Sequence, residues 1–143
     1  MTHATLESSA IAAQEPKPII VLSVSVISTT GNGAHSRATI RASIAGVEDV
    51  YSAEADDVGP IEAICLAFAR LSPAFGWQNY SSRALGEGVD AAALSVVTLV
   101  KDDKTFSGQG KHRNTLHADA EAVADALHKL RWHEWNVERK RRR

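Results

Sequence analysis

The groupings in this sequence that could carry chemistry are few, and most have a plain structural reading beside the chemical one. Gly31-Asn32-Gly33 and Gly108-Gln109-Gly110 have the glycine density of a phosphate-cradling loop. Neither completes a Gly-x-Gly-x-x-Gly fingerprint between a strand and a helix of a parallel unit, so both read as turns or sheet bends. His112 with His117, and His128 with His133, are pairs that a metal could use. Five-residue spacing sets two side chains poorly on one helical face and no cysteine supports them, so these histidines read as solvent-facing and no metal site is expected. Cys65, the single cysteine, lies among Ile61, Ile64 and Phe68 at helical spacing and reads as a buried structural thiol, not a nucleophile. Ser, His and Asp are present without a nucleophile-elbow motif to organise them. The aromatic pair Trp77 and Tyr80 is a better candidate, since it could close over a small ligand or stack on a flat one; core and dimer packing is the other reading. No cofactor is implied by any of these groups.

The charge distribution narrows the partners. Net charge is −1, yet five of the sixteen basic residues are the last five, Arg139 to Arg143, so residues 1–138 carry 11 positive against 17 negative charges. An acidic body argues against a nucleic-acid surface on the fold itself, because phosphate binding needs clustered Lys and Arg. The Arg139 to Arg143 run reads as a solvated tail, with a weak nucleic-acid or acidic-partner contact as the alternative. One cysteine excludes an internal disulfide and a Cys-based zinc cage. The apolar run Ile19 to Ile27 is too short to span a bilayer and is interrupted by serines, and no leader or anchor is visible, so a cytoplasmic location without membrane contact is expected.

The elements that must position these residues are legible from periodicity. Residues 1–18 show no sustained period and read as a mobile arm. Ile20, Leu22, Val24 and Val26 alternate as in a strand, and after the Gly31-Asn32-Gly33 turn Ala38, Ile40, Ala42 and Ile44 alternate with Arg37, Thr39, Arg41 and Ser43. Gly46 breaks this strand, and Val50 to Ala53 can form a short third one. Gly59-Pro60 opens a helix with Pro60 at its first position, and Ile61, Ile64, Cys65, Phe68 and Leu71 repeat at helical spacing.

Sliding the chain by 55 residues brings its two halves into ungapped register. Gly31 and Gly33 fall on Gly86 and Gly88, Tyr51-Ser52 on Phe106-Ser107, Ile61 on Leu116, and Ala63, Ala67 and Ala69 on Ala118, Ala122 and Ala124. Each half reads strand, strand, strand, helix, and the second helix starts after the cap residue Asn114 and buries Leu116, Ala120, Val123, Leu127 and Leu130. Trp132 and Trp135 continue that helix onto the sheet or a partner. The alanines of both helices allow close approach to a sheet. The expected fold is therefore α+β, a tandem βββα repeat of two pseudo-twofold units forming one domain. Its boundaries are an arm at 1–18, a domain at 19–135 with units 19–72 and 78–131, and a basic tail at 136–143.

Three stretches carry a family signature: Gly59-Pro60-Ile61-Glu62-Ala63; the run from Tyr80 through Ala84, Gly86, Gly88 and Asp90 to Ala91; and Gly108-Gln109-Gly110 through Asn114, Thr115, Leu116, His117 and Ala118 to Ala122. Together, in order and spacing, they resemble the C-terminal regulatory (LeuA allosteric, or dimerisation) domain of 2-isopropylmalate synthases, over roughly residues 20–131. The resemblance implies a tandem βββα repeat that dimerises and binds the feedback inhibitor leucine. The catalytic barrel with its metal-binding histidines has no counterpart here, so the resemblance implies no synthase activity.

Carried over residue by residue, the family's effector site falls on Val58, Gly59, Pro60, Ile61, Glu62, Trp77, Tyr80, Ala84, Ala91 and Thr115. Gly59, Pro60, Tyr80, Ala84 and Ala91 match. Val58 replaces the usual Asn of a Gly-Asn-Gly-Pro motif and Asp57 its preceding Gly; Trp77 and Thr115 stand where apolar aliphatic residues are common, and Glu62 where a small one is frequent. A helix N-terminus suits a carboxylate, since its free N–H groups and positive dipole end face the ligand, but Asp56, Asp57 and Glu62 crowd the first one. Three functions follow as expectations. The first is a non-catalytic, stand-alone regulatory domain that is at least a dimer, binds leucine or another small metabolite, and acts alone or on a separately encoded synthase. The second is a ligand-sequestering protein, as a phage could encode, that takes a nucleotide-like signal. The third is a structural assembly module with no ligand.

Overall fold

A computed structural model of the chain describes residues 14–31 and 33–142. Most of the expected N-terminal arm, with Asn32 and Arg143, lies outside the described residues. Strands β1 (Ile19–Thr29), β2 (His35–Ile44) and β3 (Val47–Asp56) form an antiparallel sheet in that order, followed by helix α1 (Pro60–Ala67) and a 3-10 turn at Ala69–Leu71. Strands β4 (Gly76–Ala84), β5 (Ala93–Lys101) and β6 (Lys104–His112) form a second antiparallel sheet in that order, followed by helix α2 (Thr115–Arg141). The fold is α+β, two βββα units in tandem. One core unites them: Ile40, Ala42, Ile64 and Phe68 of the first unit belong to the same buried cluster as Val97, Leu99, Val123 and Leu127 of the second. Its apolar burial is the main source of stability, since neither three-stranded sheet could bury enough surface alone.

Hairpin chemistry lengthens the third strand beyond the Val50–Ala53 expected. Ala45 and Gly46 both adopt positive φ, 53° and 80°, which matches the right-handed twist of the flanking strands, so β3 pairs with β2 from Ile44↔Val47 to His35↔Asp56. Asp102 and Asp103 do the same between β5 and β6, at 50° and 63°. These two turns lie 57 residues apart, whereas Pro60 and Thr115 open their helices 55 apart. The ungapped 55-residue register is therefore not kept through the hairpins. Four residues past its turn pairing Tyr51 stands where Gly108 stands in the second unit, not Phe106.

That substitution of glycine for tyrosine has a packing cause. Gly108 and Gly110 are buried inside β6, so they are neither turns nor bends as their composition had indicated. A Cβ on Gly108 would sit 2.2 Å from the Ala126 nitrogen, and one on Gly110 would sit 2.0 Å from the Ala118 carbonyl oxygen. The two glycines meet the fully buried stripe Ala118, Ala122 and Ala126, which lets α2 lie directly on the β6 backbone. In the first unit Tyr51 holds the corresponding place, and α1 is short. It ends after Ala67 where helical spacing predicted continuation to Leu71: Pro73 excludes the helical region for Ser72, which is extended at φ −158° and ψ 105°. Tyr51 and Phe68 fill the space beyond it, their rings 5.5 Å apart.

Helix α2 runs through the segment expected as a basic tail. Arg139, Lys140 and Arg141 occupy its last turn, where the negative end of the helix dipole favours cations, and Glu138 pairs with Arg142 at 3.4 Å. Trp132 and Trp135 lie on it with rings 5.3 Å apart, and Arg139 stacks over Trp135 at 4.7 Å. None of the described helices is long and apolar enough to cross a membrane.

Candidate functional site

Helix α1 starts at Gly59, an extended residue with φ −88° and ψ 179° that provides no side-chain cap. Pro60 has no N–H and Ala63 N–H donates to the Gly59 carbonyl at 3.1 Å, so the N–H groups of Ile61 and Glu62 are the donors this terminus can offer. Val58 is held in place by its carbonyl, which accepts from Ser36 Oγ at 2.8 Å. Ile61 is buried, while Gly59 and Pro60 are exposed. The acidic crowding foreseen here is partly relieved by a residue that the sequence reading did not single out. His35 reaches Asp56 Oδ1 at 2.6 Å and Glu54 Oε1 at 2.7 Å. These bonds, Asp56 first, push its imidazole above the ordinary value. A histidine pKa raised by folding contributes stability that is complete below the unfolded pKa and is lost as pH rises through the folded one. Proton NMR should therefore show His35 titrating above a model histidine, and His35→Gln should remove that part of the pH dependence of unfolding; titration at the model value would contradict the pairing.

The second group of site residues lies on β4. A bulge between Trp77 and Asn79 shifts the ladder, so that Trp77 pairs with Leu99, Tyr80 with Val97, Ser82 with Ser95 and Ala84 with Ala93. The four partners are the α2-facing residues of β5, buried or nearly so. Trp77, Tyr80, Ser82 and Ala84 therefore share that face, although Trp77 and Tyr80 are three apart in sequence. Helix α2 covers β6 and β5 and leaves this edge row open: Trp77 is 40% and Tyr80 38% exposed. Helix α1, besides packing on β2 and β3, also touches β4. Thr115, exposed, opens α2 behind the cap Asn114, whose side chain accepts from the His117 N–H at 3.0 Å. Ala91, half-buried, lies in the β4–β5 loop and donates its N–H to the Gly88 carbonyl.

One polar group at this edge was missed. Asp119, one helical turn beyond Thr115, is only 6% exposed and points at the β4 edge. Its Oδ1 accepts from the Tyr80 hydroxyl at 2.9 Å and from Ser95 Oγ at 2.6 Å. Burial pushes this carboxyl up, against the two hydrogen bonds that favour its ionised form; burial, then Asp119, also raises the Tyr80 phenol. The available signal was helical spacing, which puts Asp119 on the same face of α2 as Thr115.

The remaining candidates resolve structurally. Cys65 is buried, its thiol pushed up to about 12 by burial and then by Glu62, which leaves no reactive thiolate. Not all the histidines face solvent as expected: His112 is exposed, but His117 is half-buried and stacks on it at 4.0 Å, with its pKa lowered first by burial and then by His112. His133 packs on Phe106 at 5.6 Å, and His128 Nδ1 is buried without a partner. Among the described residues no three His, Cys, Asp or Glu side chains cluster to hold a metal. A cleft of about 800 Å³ lies between Tyr51, Arg70, Arg131 and Trp135, and another of about 330 Å³ between Ile19, Val21, Glu121 and His128. Neither is lined by the effector-site residues.

Residues 3–131 match the model of a protein family described as the LeuA allosteric (dimerisation) domain. The chain belongs to that family. Among curated relatives, the 2-isopropylmalate synthase of Methylorubrum populi is 34% identical over 113 residues, 78% of this chain and 21% of the relative. The 2-isopropylmalate synthase of Nitrosospira multiformis is 32% identical over 130 residues, 90% of this chain and 24% of the relative. The chain thus spans between a fifth and a quarter of the length of these relatives. The LeuA-domain match stops at residue 131, while α2 continues to Arg141 and carries Trp132 and Trp135 beyond it.

Proposed function

We propose that this LeuA-family chain is a non-catalytic regulatory-type domain that dimerises and binds a small metabolite, leucine or a related amino acid. The pocket is built from Val58, Gly59, Pro60, Ile61 and Glu62 at the start of α1, from Trp77, Tyr80 and Ala84 on β4, and from Ala91 and Thr115. The observation that carries this reading is the open row Trp77, Tyr80 and Ala84 on the α2-facing side of the sheet. It offers apolar contact, while the uncapped start of α1 offers two free N–H donors for a carboxylate. Family membership supports the same pocket, since the matched description names an allosteric and dimerising domain. Exposed apolar side chains, among them Ile20, Val50, Leu66 and Leu85, support self-association into at least a dimer. Val58, Glu62 and Trp77 depart from the family pattern and support a second reading, a ligand-sequestering protein for another small molecule.

A thermal-shift screen with amino acids and nucleotides tests both readings, because a ligand that binds the native state alone raises the melting temperature with concentration. Leucine or a related amino acid is expected to raise it. Tyr80→Ala should weaken the response by the value of a buried aromatic contact, about 1–3 kcal/mol in binding free energy. A response to nucleotides alone would favour sequestration, and an unchanged Tyr80→Ala response would displace the pocket from β4.

A further inference from the structure

Asp119 poses an electrostatic problem that the fold does not solve. A carboxylate this deeply buried is ordinarily paired with a cation, because neutral hydroxyl donors recover only part of the lost hydration. Asp119 has the Tyr80 and Ser95 hydroxyls on Oδ1. Among the described residues no Lys, Arg or His pairs with it, although ion pairs are frequent elsewhere. Its second oxygen, Oδ2, accepts no hydrogen bond from the described residues, and it is not among the buried atoms left without a partner, so it keeps an opening to the outside.

The surrounding groups define what could fill that opening. Ser95 Oγ is placed to donate to Asp119 Oδ1 at 2.6 Å and, more weakly, to Ser82 Oγ at 3.3 Å, so the shorter contact takes its single proton. A visitor thus meets a negatively charged acceptor, Asp119 Oδ2, beside the half-exposed Tyr80 ring. A divalent cation would find one carboxylate and a few hydroxyls, too few charged oxygens to replace its hydration shell. An anion would be repelled. A primary ammonium group fits: it has three donors, one positive charge, and a favourable approach to an aromatic edge row.

We propose that Asp119 receives the ammonium group of a ligand bound against this row and so selects for a primary amine. This rests on the reading of Trp77, Tyr80 and Ala84 as the ligand-facing row. Asp119 sets specificity, and the Tyr80 and Ser95 hydroxyls orient it.

Calorimetric titration of the wild-type chain and of Asp119→Asn, each with leucine and with 4-methylpentanoate, which is leucine without its amine, tests the proposal. Asn keeps the oxygen that accepts from Tyr80 and Ser95, so a purely structural role survives the change. The wild type is expected to favour leucine by roughly tenfold or more, the value of a charged hydrogen bond, and Asp119→Asn to bind both compounds with one lower affinity. Discrimination that persists in Asp119→Asn overturns the proposal and leaves the pocket standing. A wild-type chain that binds neither compound overturns the pocket itself. A second measurement needs no variant: the carbon-13 resonance of the Asp119 carboxyl should shift on adding leucine and stay fixed on adding 4-methylpentanoate. An equal shift with both would count against the ammonium contact.

Discussion

Gly110→Ala is expected to cost this chain a large share of its stability, about 3 kcal/mol, at the upper end for overpacking, where an alanine in a strand is otherwise harmless. The added Cβ would lie 2.0 Å from the Ala118 carbonyl oxygen and 2.7 Å from the Ala122 nitrogen. Both are helix backbone, which cannot rotate away as a side chain would. Helix α2 would have to lift off β6 along the whole Ala118, Ala122 and Ala126 stripe, and native domains hold only about 5–15 kcal/mol in reserve. Gly59→Ala is the control, because a Cβ there meets open space at a negative φ. Urea unfolding should show a much lower midpoint for Gly110→Ala and a nearly unchanged one for Gly59→Ala. A loss under about 1 kcal/mol at Gly110 would mean that α2 does not rest on the β6 backbone.

Phe68→Ala should cost about 3–5 kcal/mol, the usual range for truncating a fully buried phenylalanine. Phe68 has no exposed surface and packs on Tyr51, whose other side is capped by Arg70 at 4.1 Å. Helix α1 has only eight residues, too short to persist on intrinsic propensity, and depends on packing to exist. The residual native state of Phe68→Ala should therefore show fast hydrogen exchange in α1 before the rest of the fold, and should lose ligand affinity with it, since α1 presents the Gly59-Pro60 terminus. Intact protection of the α1 amides in this variant would show that the helix is held by other contacts.

The fold was largely legible because its signals are local. Alternation in β2, the Gly59-Pro60 opening and the Asn114 cap each place an element without knowledge of its neighbours. What escaped depends on contacts between elements. Gly108 and Gly110 look like turn residues until the alanine stripe of α2 is laid over them. The length of β3 is set by the Ala45-Gly46 turn and by continuous pairing with β2, which no apolar pattern in its own exposed, acidic sequence reports. The end of α1 is set by Pro73, five residues past Phe68, acting through Ser72.

The site divides in the same way. Tyr80, Ala84 and the Gly59-Pro60 start were named from their resemblance to a family, and the β4 bulge gives Trp77, Tyr80 and Ala84 a common face. Asp119 was passed over because an acidic residue on a surface-length helix reads as solvated until the hydroxyls of Tyr80 and Ser95 are seen to converge on it. His35 likewise acquires meaning only when β3 brings Glu54 and Asp56 beside it.

The proposed site seats a small amino acid against the open row of β4. Titration calorimetry of the chain with leucine, set beside Ala84→Trp, tests it most directly. Ala84 is exposed, so a bulky side chain there fills the row without entering the core, and circular dichroism should show the variant folded. Saturable heat is expected for the wild type and none for Ala84→Trp. Binding of equal affinity in both, or a flat titration of the folded wild type with leucine and with every related amino acid, would contradict it.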